Sequence, residues 1–352
     1  MAITKPALVE VLPRDDRPLE LPSPYLLFLG DTVEPGFAKT AFGLRDWAPE
    51  RCIGELALPG ANVTTGLPSL RPREAFERGG RALLVGVATR GGQVPERWLP
   101  TLMEALNVGL DIVSGMHDRL GEIPALANEA RRLGRRLIDV RVPPADIPIA
   151  SGRKGSGRRL LTVGTDCALG KKYTALAITR GLAARGLDVD FRATGQTGIM
   201  IAGAGIPIDA VVSDFVAGAA ELLSPDAATE HIDVVEGQGS LFHPSYAAVS
   251  LGLLHGSQPD MFVVCHDPGR QEVLGMPGYP LPSIEQVIEQ TVALGRLTNP
   301  AIRCCGISLN TSALDADSAA DVIAATARRL ALPAADPIRG VGLEVLLDAC
   351  AA

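Results

Sequence analysis

Short apolar runs alternate with stretches of helical spacing along almost the whole chain, the βαβ pattern that favours a parallel sheet. In the first half, Tyr25–Leu29, Arg81–Val87, Leu110–Ser114 and Leu137–Val142 predict strands, while Glu96–Asn107 and Ile123–Arg135 predict helices. The second half alternates more strongly. Strands are expected at Leu160–Val163, Leu187–Arg192, Ile232–Glu236, Met261–Cys265 and Ile302–Ser308, and helices at Lys172–Ala184, Ala210–Leu223, Ser245–Leu254, Ser283–Gly295 and Asp317–Leu330. Between the halves, Ser151 to Arg159 is polar and glycine-rich, as linkers are. Two domains are therefore expected, a smaller Rossmann-like α/β domain over 1–152 and a doubly wound parallel α/β domain over 153–352. The first has no Gly-x-Gly-x-x-Gly turn, so a dinucleotide site is not supported there.

Composition narrows the partners. With 352 residues, 47% hydrophobic and 21% charged, the chain can bury two sizeable cores. No apolar run approaches the ~18 residues of a membrane span. The segment from Met1 to Arg17 lacks a signal-peptide core, so a cytoplasmic protein with no membrane partner is expected. A net charge of −7 and an aromatic content of 4% argue against a nucleic-acid partner. The six cysteines lack metal-site spacing, so reduced thiols are expected and neither disulfides nor a metal.

The chemistry starts at Gly164-Thr165-Asp166-Cys167-Ala168-Leu169-Gly170-Lys171-Lys172-Tyr173, which leaves a strand, forms a glycine-bounded loop and enters a helix. That is the context a phosphate-binding loop demands, and it makes the C-terminal domain P-loop NTPase-like. Loop N–H groups, the helix N-terminus and Lys171 can cradle a diphosphate. In an ordinary P-loop the residue after the lysine is Ser or Thr, whose hydroxyl ligates Mg²⁺. Lys172 stands in that place, which argues against ordinary ATP hydrolysis.

In doubly wound sheets ligands bind at the carboxyl ends of the strands, where several candidates gather. Arg192 precedes Ala193-Thr194-Gly195-Gln196-Thr197-Gly198 and either clamps a substrate carboxylate or lies on the surface over a tight turn. Glu236, followed by Gly237-Gln238-Gly239-Ser240, suits a general base or metal ligand. His243 is an alternative base or a packed ring. Asp214, in an apolar helical context, is a candidate for ordering the Gln196 loop or the substrate amine. Arg270, near His255 and His266, is a second carboxylate clamp or a solvated cation. Asn310 ends a strand and either reads a purine edge or closes a turn. Gly30-Asp31-Thr32 and Lys39-Thr40 end the first strand and Gly115-Met116-His117-Asp118-Arg119 follows the third; they either close over the same cleft or, by default, are structural.

The Gly-Thr-Asp-x-x-x-Gly-Lys variant resembles dethiobiotin synthetase and its ATP-dependent relatives, whose adenine-reading Asn matches Asn310. The loop together with Ala193–Gly198, Glu236–Ser240, His255–Asp260 and Asn310 resembles a bacterial and archaeal P-loop family with a Rossmann-like N-terminal domain. The likeness spans essentially the whole chain. Gly170-Lys171-Lys172-Tyr173-Thr174 is most similar to its DgcN-type members, D-glutamate N-acetyltransferases that use acetyl-CoA. The resemblance implies an acyltransferase in which residues 164–173 and Asn310 hold acetyl-CoA. Arg192, Thr197, Asp214 and Arg270 would then serve an acidic amino acid, and Glu236, His243 and Gln196 the chemistry. Two other functions compete: an ATP- and Mg²⁺-dependent ligase or kinase recruiting metal through Asp166, Glu236 and Thr174, and a nucleotide-sensing partner protein. Homo-oligomeric assembly is expected.

Overall fold

The apolar runs become the strands of two parallel sheets in the computed structural model, which describes residues 19–352. The Met1–Arg17 segment, judged above for a signal peptide, lies outside the described residues. The first sheet takes up β1 (Tyr25–Gly30), α1 (Lys39–Trp47), β2 (Cys52–Ala57), α2 (Pro72–Glu77), β3 (Ala82–Val85), α3 (Leu99–Val108), β4 (Asp111–Ser114), α4 (Pro124–Leu133) and β5 (Leu137–Asp139). Its strand order is β2-β1-β3-β4-β5. Every residue of β1 is buried, as a strand covered on both faces requires.

After a crossing segment, residues 140–157, the second sheet opens with β6 (Arg158–Gly164) and α5 (Lys171–Ala184). It continues through β7 (Val189–Arg192), α6 (Gln196–Ala202), α7 (Val216–Leu223), β8 (Ile232–Val235), α8 (Ala247–Ser257), β9 (Met261–His266) and α9 (Ile284–Gly295). Last come β10 (Arg303–Leu309), α10 (Ala316–Leu330), β11 (Ala334–Ala335) and α11 (Leu343–Ala351). The order is β11-β10-β9-β6-β8-β7. From β6 the chain crosses to the edge at β7, returns to β8 on one flank of β6, and then passes to β9 on the other. The winding direction reverses at β6, which opens a crevice at its carboxyl end. Strand periodicity assigns the two cores: Leu160 packs with Ile178, Leu182 and Leu347 of α5 and α11, while Leu161 beside it packs with residues of α7, α8 and α9.

Some elements differ from the pattern. The helix expected over Ala210–Leu223 is two short 3-10 turns followed by α7, because Val212 takes an extended conformation (ψ 137°) and breaks the run. The helix expected from Glu96 begins as a 3-10 turn at Glu96–Trp98. The glycine-rich turn after β7 is the start of α6. That helix buries Ile199, Met200 and Ile201 in the core of the first domain, so the two domains share packing. No helix among the described residues is long and apolar enough to cross a membrane. The six cysteines are free thiols, and burial pushes those of Cys52 and Cys304 up to about 12.

Candidate active site

The loop between β6 and α5 is held from several sides. Ala168 and Gly170 both take the left-handed conformation, with φ of 54° and 101°. The Thr165 amide donates to the Cys265 carbonyl (3.1 Å), and its hydroxyl pairs with His266 Nδ1 (3.0 Å). Asp166, 0% exposed, is saturated: Oδ1 accepts from the Cys167 amide (2.6 Å), and Oδ2 from Arg270 Nη1 (2.9 Å) and the Leu274 amide (2.8 Å). Arg270 also donates to the Cys167 carbonyl (2.8 Å). In the structure Arg270 thus braces the loop. Lys171 folds back so that Nζ donates to the Asp166 carbonyl (2.7 Å). Burial lowers its pKa, which the nearby thiols and carboxylates oppose.

Glu236 follows β8 directly. Its Oε2 accepts from the amides of Thr194 (3.0 Å) and Gly195 (3.1 Å), just ahead of α6. A Cβ at Gly198 would come within 2.2 Å of that oxygen, so only glycine fits there. Gly237 is under the same constraint, since a Cβ would stand 1.6 Å from the Thr162 carbonyl. Glu236 is 4% exposed. Burial raises its pKa, and the charges of Lys172 and Lys171, with the two amides, oppose that.

The first domain closes one side of this region. Thr197 and Thr40 pair through their hydroxyls (3.1 Å). Tyr173 stacks on Trp47 at 5.8 Å, and the Lys172 ammonium lies 4.4 Å from the centre of the Tyr173 ring. Gln196 Oε1 is buried with no hydrogen-bond partner and faces Gly115, where a Cβ would approach it to 2.5 Å.

The remaining candidates have other engagements. Arg192 is engaged in ion pairs: its Nε donates to Asp233 (2.5 Å) and Nη2 reaches Asp190 (3.0 Å). The cause is strand periodicity, which puts Asp190 on the Arg192 face with Asp233 opposite it in register. Asp214 is exposed on a 3-10 turn, not in a helix beside the loop. Thr174 pairs with Ser308 (2.7 Å) in the core, away from any metal-binding role. Asn310 accepts from the Ser312 amide (3.2 Å) at Oδ1, which leaves its Nδ2 donors and a second Oδ1 lone pair to meet a purine. His243 is buried against Tyr246 and accepts from the Ser245 amide at Nδ1 (3.1 Å). Ligand atoms of Asp166, Cys167 and His243 lie within 4.8 Å of one another, but the Asp166 oxygens are already taken. Trp47 and the Leu274 amide carried no sequence signal, since only the folded chain brings them to the loop.

Residues 148–347 match the family described as a domain of unknown function (DUF1611_C), P-loop domain, and residues 56–143 its DUF1611_N Rossmann-like domain. A protein of Tritonibacter scottomollicae named D-glutamate N-acetyltransferase is 46% identical over 94% of the chain and 99% of its own length. One of the same name from Pseudoalteromonas sp. is 43% identical over 94% and 100%. The crystal structure of a DUF1611 family protein from Anabaena variabilis superposes with a TM-score of 0.78 at 32% identity, covering 93% of this chain and 98% of that one.

Proposed function

Since the chain belongs to the DUF1611 family, a P-loop domain joined to a Rossmann-like domain, we propose that it transfers the acetyl group of acetyl-CoA to the amine of D-glutamate. The cosubstrate supplies an activated thioester. Its diphosphate suits the loop amides of residues 168–170, the N-terminus of α5 and Lys171, a cradle that needs no metal. Lys172 in the hydroxyl's place, Thr174 tied to Ser308 and Asp166 saturated by Arg270 and two amides all weigh against an Mg²⁺-dependent ligase.

One observation carries the chemistry: a buried carboxylate with a raised pKa stands beside the loop lysines, held by two amides. A protonated amine has no lone pair for a carbonyl. Glu236 takes its proton, and the basicity that burial adds suits that task. His243 fits a donor's role better. Its Nδ1 lone pair is used by the Ser245 amide, so the neutral ring carries its proton on Nε2. Gln196 and the loop amides are the further donors for the carbonyl oxygen.

The test is to incubate the purified protein with acetyl-CoA and D- or L-glutamate, following free thiol release and the N-acetylated product by mass spectrometry. Product with D-glutamate and without added Mg²⁺ is expected. Thiol release that requires ATP or a metal, or that is indifferent to the amino acid, would sink the reading.

A further inference from the structure

Resting on that acetyltransferase reading, we propose that the junction of the two domains carries a two-cation seat for the acceptor's carboxylates, formed by Lys39 of α1 and Lys172 of α5 near Glu236. The arginines that looked suited to a dicarboxylate are committed elsewhere, Arg192 to Asp190 and Asp233, Arg270 to Asp166. Among the described residues neither Lys39 nor Lys172 has an ion-pair partner.

The packing brings them together from opposite domains. Lys39 opens α1 next to Thr40, whose hydroxyl meets Thr197 (3.1 Å), just beyond the Thr194 and Gly195 amides that hold Glu236. Lys172 adjoins Tyr173, whose hydroxyl comes up to Gly43, one turn on from Lys39, where a Cβ would stand 3.4 Å from it. Burial lowers the Lys172 pKa; the charge of Glu236 opposes this and that of Lys39 adds to it, so the three groups share one field. Lys171 and Lys172 both act on the buried Glu236 carboxylate, and Lys39 acts on Lys172 in turn, an excess of positive charge at the junction that a bound anion relieves.

D-glutamate fits this arrangement group for group. Its two carboxylates match Lys39 and Lys172, its amine turns to Glu236, and Lys171 remains for the phosphates. The N-acetylated product keeps both carboxylates, so the same lysines hold it until release.

Lys39→Met is the discriminating variant because it lies outside the phosphate loop. The KM for D-glutamate should rise by about tenfold or more, the loss of a charge-assisted contact, with the KM for acetyl-CoA within about twofold of wild type. Preference for D-glutamate over D-glutamine, which lacks the second carboxylate, should shrink by a similar factor, and Lys39→Arg should restore most of it. Binding of glutarate, a dicarboxylate without an amine, should be measurable by calorimetry in wild type and lost in both Lys39→Met and Lys172→Met. If the Lys39→Met and Lys172→Met variants keep the wild-type glutamate-to-glutamine ratio and glutarate affinity while acetylation proceeds, the seat is wrong and the activity stands. If wild type acetylates nothing yet binds glutarate through Lys39, the seat stands and the acetyltransferase reading falls.

Discussion

A carboxylate almost without contact with water, as Glu236 is, favours its neutral form, and the two lysines beside it oppose this only in part. Activity that needs the ionised group should therefore climb with pH along a limb displaced above the ordinary glutamate range. Glu236→Gln should erase that limb and cut kcat by ~10²–10⁴ while leaving acetyl-CoA affinity near wild type, which steady-state kinetics over a pH series would check. Stability moves the other way. With the folded-state pKa raised, the group's contribution is fully present below the unfolded pKa and is lost as pH rises through the folded one. The permanently neutral Gln variant should melt above wild type at neutral pH and level with it in acid, and calorimetry at both pH values would show the difference. Lys171→Ala should weaken acetyl-CoA binding by about one to two orders of magnitude, the scale of one lost charged contact, with the circular dichroism spectrum unchanged.

The phosphate loop is an element made rigid by a neighbour. Arg270, from the segment after β9, closes on a fully buried Asp166, so Arg270→Ala strands a carboxylate with only amide donors. A loss of about 3–5 kcal/mol is the usual cost of breaking such a pair. Denaturant melts should show it, with faster amide exchange over 165–170. Adding Asp166→Asn should recover much of it, and an additive double mutant would deny the pairing. None of this was legible beforehand, although the loop itself was. Buried parallel strands such as Leu160–Val163 and Met261–Cys265 announce themselves as unbroken apolar runs, and the loop's glycines and lysine are local. The partners of Arg192 and Arg270 depend on register and on where a later segment returns. α6 hid in a stretch whose glycines look like a turn until Glu236 is seen to need the space at Gly198.

At the scale of the molecule, the two sheets meet through packed side chains and not only through the crossing segment. Trp47 on Tyr173, Arg180 against the Trp47 carbonyl and the α6 residues in the first core make the halves one unit. Trp47→Ala should loosen that union, so that scanning calorimetry resolves two unfolding transitions where wild type shows one. A shared core also has a bearing on descent. The P-loop half carries Ile199, Met200 and Ile201 shaped to a surface that only the Rossmann-like half provides. A recombination event cutting between residues 140 and 157 would leave each product with a greasy scar and no ready replacement. Substitutions in α6 and in the first core should accordingly have accumulated as compensating pairs, and the two halves should have travelled through genomes as one inheritance.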